Sequence, residues 1–108
     1  MKRLGQSAVT TGAGTLIYTV PTGYKTSVMN IDIANTNGTS NTFALHLVAS
    51  GGSATAANTL VPTVSVDGHT MIQWSGNQML SAGDFIQAIG GSSGMTVTVS
   101  GEESRVSI

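Results

Sequence analysis

Apolar residues in this chain recur at every second position, in short runs broken by Gly, Asn and Asp. No segment keeps the 3.6-residue period of a helix, and Thr, Ser, Val and Gly are poor helix formers. The alternation predicts strands. The first is Leu16-Ile17-Tyr18-Thr19-Val20, stopped by Pro21-Thr22-Gly23, because Pro cannot donate to a ladder. The second runs from Lys25 to Asn35, with Met29, Ile31 and Ile33 on one face and Asn30 and Asp32 on the other. After an Asn-Gly turn at Asn37-Gly38, where positive φ is expected, the third spans Thr42 to Val48. Its alternation sets Phe43, Leu45 and Leu47 inward and Ala44, His46 and Val48 outward. Residues Ala49 to Asn58 show no pattern and read as a loop. Leu60 to Val66 and His69 to Trp74 flank Asp67-Gly68, a strong hairpin signal, with Ser75-Gly76-Asn77 ending the hairpin. An apolar stretch at Met79-Leu80, a turn, and a strand from Phe85 to Ile89 follow. Met95 to Ser100 is the last clean strand, and the tail from Glu102 to Ile108 extends it or pairs with a neighbouring chain.

Seven or eight strands with turn chemistry at each junction predict an all-β fold, an antiparallel β-sandwich of jelly-roll type with no substantial helix. With no helix to cover a sheet, two sheets must cover each other. Residues 1–14 are small and polar and read as an N-terminal arm; residues 15–108 read as a single β-sandwich domain. Aromatics are only 5 %, so the core must be built from Val, Ile, Leu and Met.

Charge changes the picture most. The chain has four basic and five acidic residues, and charged residues make up 8 % of it, against roughly a quarter in an ordinary soluble domain. Surface charge keeps proteins apart in solution. Thr, Ser, Gly and Asn replace it here, and they are cheaper to dehydrate than Lys or Glu. A surface of this kind is expected to be covered, by copies of the chain or by a larger assembly. The net charge of −1 gives no footprint for nucleic acid. No segment approaches the roughly 18 apolar residues of a membrane span. Lys2 and Arg3 are not followed by the apolar run of a signal peptide, which places synthesis in a cytoplasm.

Candidate chemistry is sparse. There is no Cys, so neither a disulfide nor a thiolate site is available. His46 and His69 are the only histidines, and a zinc or iron site needs three or four convergent ligands. Asp67 and Asp84 sit in turns, Glu102 and Glu103 in the tail, and no nucleophile elbow is present. No catalytic residue, cofactor or metal is expected, and the chain does not read as an enzyme. Tyr18, Tyr24 and Trp74 suggest sugar-stacking rings, but a lone Trp at a strand end more often anchors a core or an interface.

One set of segments is familiar. Tyr18-Thr19-Val20-Pro21-Thr22-Gly23 leads into the strand Lys25 to Asn35. An Asn/Gly/Ser turn and Phe43-Ala44-Leu45-His46-Leu47 follow, then Leu80-Ser81-Ala82-Gly83-Asp84-Phe85-Ile86 and Met95-Thr96-Val97-Thr98-Val99-Ser100-Gly101. Over Leu16 to Gly101 the chain resembles the small β-sandwich structural proteins of tailed bacteriophage virions. The resemblance implies a virion location and a capsid decoration (cement) protein that binds the head lattice as a homo-oligomer, with a trimer favoured. A tail, baseplate or fibre-attachment subunit is its alternative, and a carbohydrate-binding module a further one. Partners would be the chain itself and the major capsid protein or another virion protein, with no nucleic acid and no membrane. The arm residues Lys2, Arg3 and Leu4 are the candidate capsid-binding residues. Val28, Ala44, Val48, Ile72 and Trp74 are the candidate subunit contacts, because an exposed sandwich face would otherwise alternate to charge.

Overall fold

The computed structural model of the protein describes residues 2–9, 14–91 and 94–106. Eight strands form in chain order: β1 (Lys2–Val9), β2 (Thr15–Thr19), β3 (Tyr24–Asn35), β4 (Asn41–Val48), β5 (Thr59–Val66), β6 (Thr70–Leu80), β7 (Phe85–Gly90) and β8 (Met95–Arg105). The only helical element among the described residues is a 3-10 turn, Ala56–Asn58.

The strands form two four-stranded antiparallel sheets, β1-β8-β3-β6 and β2-β7-β4-β5. The chain switches sheet at every connection except β4–β5, and this order is that of an eight-stranded jelly roll. The sheets pack face to face because each has one apolar side. Phe43, Leu45 and Ile86 from the second sheet meet Val28, Ile31, Ile33, Met95, Val97 and Val99 from the first, all at most 1 % exposed.

Several expectations change. Residues 2–9 are not an arm: β1 pairs with β8 along its whole length, from Lys2 opposite Gly101 to Val9 opposite Met95. The rest of the expected arm that links β1 to β2, residues 10–13, lies outside the described residues, as do Met1 and the last two residues of the tail. The tail up to Arg105 continues β8, with Arg105 opposite Tyr24.

The parity of β3 also differs. Against β8, Val28 pairs with Gly101 and Asn30 with Ser100, so Met29 is an extra residue. Such a bulge reverses which alternate positions face the core. Thr26 and Val28 point inward before it, Ile31 and Ile33 after it, and Met29 is only half-buried. Val28 is therefore core and not a subunit contact.

Asp67-Gly68 does not make a hairpin, because β5 and β6 belong to different sheets. The segment between them is held by the β3–β4 loop. The Asn35 amide donates to the carbonyls of Val66 (2.9 Å) and Asp67 (3.3 Å). The His69 N–H donates to the Asn37 carbonyl at 2.9 Å. Gly68 is needed for close approach, since a Cβ there would strike the backbone of Gly38 and Thr39. Positive φ falls on His69 (56°), not on Gly38 or Gly68. Ser75-Gly76-Asn77 does not end a strand either; β6 runs through it to Leu80.

Candidate assembly surface

Among the described residues four polar side chains, Asn35, Asn41, Thr26 and His46, are buried, and each has a structural task. Asn35 holds the β5–β6 connection as described. Asn41 accepts the Thr42 N–H at 2.9 Å. Thr26 bonds the Tyr18 hydroxyl at 2.8 Å. His46 is 8 % exposed under the β4–β5 loop. Its Nδ1 lies 3.1 Å from the Thr55 carbonyl and 3.0 Å from Asn58 Oδ1. Both partners are acceptors, so Nδ1 carries a proton and donates. The Thr55 N–H also donates to Asn58 Oδ1 at 3.0 Å, which fixes the loop over the strand.

This loop explains a further correction, and the neighbouring strands another. Val48 points away from the core, as its parity requires, but Gly52 packs against it and it is 1 % exposed. Ala44, opposite Ile89, is 8 % exposed. Neither is free for a neighbouring subunit. Of the expected contacts, only Ile72 and Trp74 keep exposed surface. Both are half-buried on the edge strand β6 and pack against the core cluster.

The expected capsid-binding residues Lys2, Arg3 and Leu4 are engaged within the chain. The Lys2 ammonium lies 2.6 Å from Glu103, the Arg3 guanidinium donates to Gln6 at 3.4 Å, and Leu4 packs on the core. Glu103 also accepts a short hydrogen bond from Tyr18, which in turn meets Thr26. The clasp Lys2–Glu103–Tyr18–Thr26 thus joins β1, β8, β2 and β3. Burial pushes the Tyr18 phenol up to about 12, and the Glu103 bond adds to the rise. The Lys2 and Tyr18 hydrogen bonds hold the Glu103 carboxyl below its ordinary value, and the Glu103 bond raises Lys2. The tail reading of Glu103 missed this clasp; Tyr18 among apolar neighbours was the signal available.

Beyond the Tyr18–Glu103 bond, the rings and the acids do not converge. Tyr18 is buried, Trp74 packs on the core, and Tyr24 stands at the start of β3 with the Arg105 guanidinium 6.0 Å from its ring centre. Asp84 braces its turn by accepting the N–H groups of Ser50 (3.1 Å) and Ser81 (2.9 Å). Among the described residues no three His, Asp or Glu side chains come together as metal ligands, and no helix is long and apolar enough to cross a membrane.

What remains is a surface divided by charge. Lys2, Arg3, Lys25, Glu102, Glu103 and Arg105 gather where β1, the start of β3 and the end of β8 meet. The strands β5 and β6, on the opposite side of the sandwich, contain no charged residue. A groove of about 380 Å³ opens there between the sheets, lined by Leu47, Ala57, Asn58, Thr59, Leu60 and Gln78. The outer face of the first sheet carries polar rows across all four strands, Gln6–Thr98–Asp32–Gln73 and Arg3–Ser100–Asn30–Ser75 among them. Within the first row Gln6 donates to Thr98 at 2.9 Å, and Asp32 Oδ1 is buried without a hydrogen-bond partner. No known protein family, curated protein or solved structure matches the chain.

Proposed function

We propose that this protein is a non-catalytic structural subunit that works by assembling with copies of itself. The division of charge carries the reading. Six of the charged side chains crowd one end, while the strands β5 and β6 carry none, Asp67 lying only in the connection between them, and uncharged residues are cheap to dehydrate. The buried side chains of Thr26, Asn35, Asn41 and His46 support it as well, because each is occupied in holding backbone or strands. The jelly roll hosts viral coat subunits among other proteins, and fold alone does not choose between them. Together with the resemblance over Leu16 to Gly101, these features favour a virion coat component. In this reading it is made in the host cytoplasm and seated on the capsid lattice as a decoration protein. The test is solution mass combined with binding to purified phage heads. A homo-oligomer that binds heads and raises their resistance to heat supports the proposal. A monomer that leaves heads unchanged removes it, and an oligomer that binds tails but not heads moves the protein to the tail.

A further inference from the structure

The four edge strands of the two sheets are not equally guarded. An open edge presents unpaired N–H and C=O groups, and proteins blunt such edges with charge, Pro, short strands or cover. The strand β1 carries Lys2 and Arg3 and lies against β2, so closely that a Cβ on Gly5 would meet the Ile17 carbonyl. The strand β2 is five residues long and shares that contact. The strand β5 contains Pro62. The strand β6 is 11 residues long, with neither charge nor Pro, and exposes Met71 and Met79 at 54 % and 59 %.

We infer that β6 is where two copies of the chain join, pairing Met71–Ser75 antiparallel about a two-fold axis at Gln73. The inference rests on the assembly reading above and names its contact. The segment is regular: it pairs with β3 without interruption from Thr70 to Ser75, and the irregularity begins at Gly76. Opposed residues of an antiparallel pair share a face. Centred on Gln73, the register sets Ile72 against Trp74 of the partner subunit, Met71 against the partner subunit's Ser75, and Gln73 against the partner's Gln73. Aromatic against β-branched is a favourable cross-strand pair, and the two-fold makes it twice. The two amides meet in the row where Asp32, directly across from Gln73, holds a buried oxygen without a partner. A second copy is the fitting occupant because the edge is complementary to itself and offers no charge for a different partner to read. An isologous contact of this kind closes as a dimer or builds even-numbered assemblies, where the resemblance implies a trimer.

The chain has no Cys, so Gln73→Cys tests the register directly. Antiparallel neighbours have Cα atoms about 4.5–5.5 Å apart, within the span of a disulfide. Mild oxidation is expected to give a covalent dimer, while Thr63→Cys on the Pro62-guarded edge gives none. Gln73→Glu sets like charges across the axis beside two Asp32 carboxylates, and dissociation measured by sedimentation equilibrium is expected to rise at least about tenfold. A wild-type oligomer in which Gln73→Cys stays unlinked, or in which Gln73→Glu keeps its mass, overturns this contact and leaves the assembly reading standing. A wild-type chain that is monomeric at every concentration overturns both.

Discussion

The two long sides of the sandwich are built by different physics. On the β1–β2 side the sheets touch: Gly5 lies against Ile17, and a charged clasp runs from Lys2 through Glu103 to buried Tyr18 and Thr26. On the β5–β6 side they part around a groove, and neither strand carries a charge. The closed side is specified by groups that need one another inside the chain. The open side has edge strands and exposed methionines, Met71 and Met79. A low total charge therefore describes two unlike surfaces, one tied together by paired charges and one of uncharged, exposed side chains.

The sharpest way to break the contrast is Gly5→Val. Its side chain meets backbone rather than a yielding side chain, so a loss of about 3 kcal/mol in chemical denaturation is expected. Tyr18→Phe leaves Thr26 and Glu103 without their shared partner, and about 1–2 kcal/mol is expected in the same assay.

A pH titration of thermal stability should then show the clasp failing at both extremes. Glu103 is held below its ordinary 4.5, so its contribution is present above that pH and lost as pH falls through the lowered value. Tyr18 is raised from 10.0 to about 12, so its contribution is full below pH 10 and lost as pH rises toward 12. Glu103→Gln should flatten the acid limb; an unchanged acid limb would show that the clasp is not what titrates. On the open side Met79→Lys should change stability by less than about 0.5 kcal/mol. A large loss there would mean that the open side is bound into the fold after all.

The sandwich was legible because alternation survives in most strands: Phe43 and Leu45, Ile86 and Ala88, Val97 and Val99 all face the core as their period requires. The misreadings have physical causes. An inserted Met29 reverses the parity that follows it, and a bulge leaves no composition signal. Asp67-Gly68 has hairpin residues, but whether neighbouring strands share a sheet is decided by what each pairs with elsewhere. The strand β1 holds one large apolar residue in its described core contacts, Leu4, too few to show a period. The burial of Val48 and His46 depends on a loop of Gly, Ser, Ala and Thr whose path no periodicity encodes. Trp74 packs against the core from the edge strand β6, and a lone Trp at a strand position does not tell which surface it meets.

The pairing of β1 with β8 has a consequence for the order of folding. Gln6 and Thr98 stand 92 residues apart and share a hydrogen bond. As the ribosome delivers the chain, the first strand must wait unpaired until the last has emerged. Contacts that distant raise the loop-closure cost and slow the search. Meanwhile β6 is exposed before its sandwich is complete, the stage at which bare strand edges invite premature association. Lys2 and Arg3, quiet in the finished fold, keep the waiting strand charged during that interval.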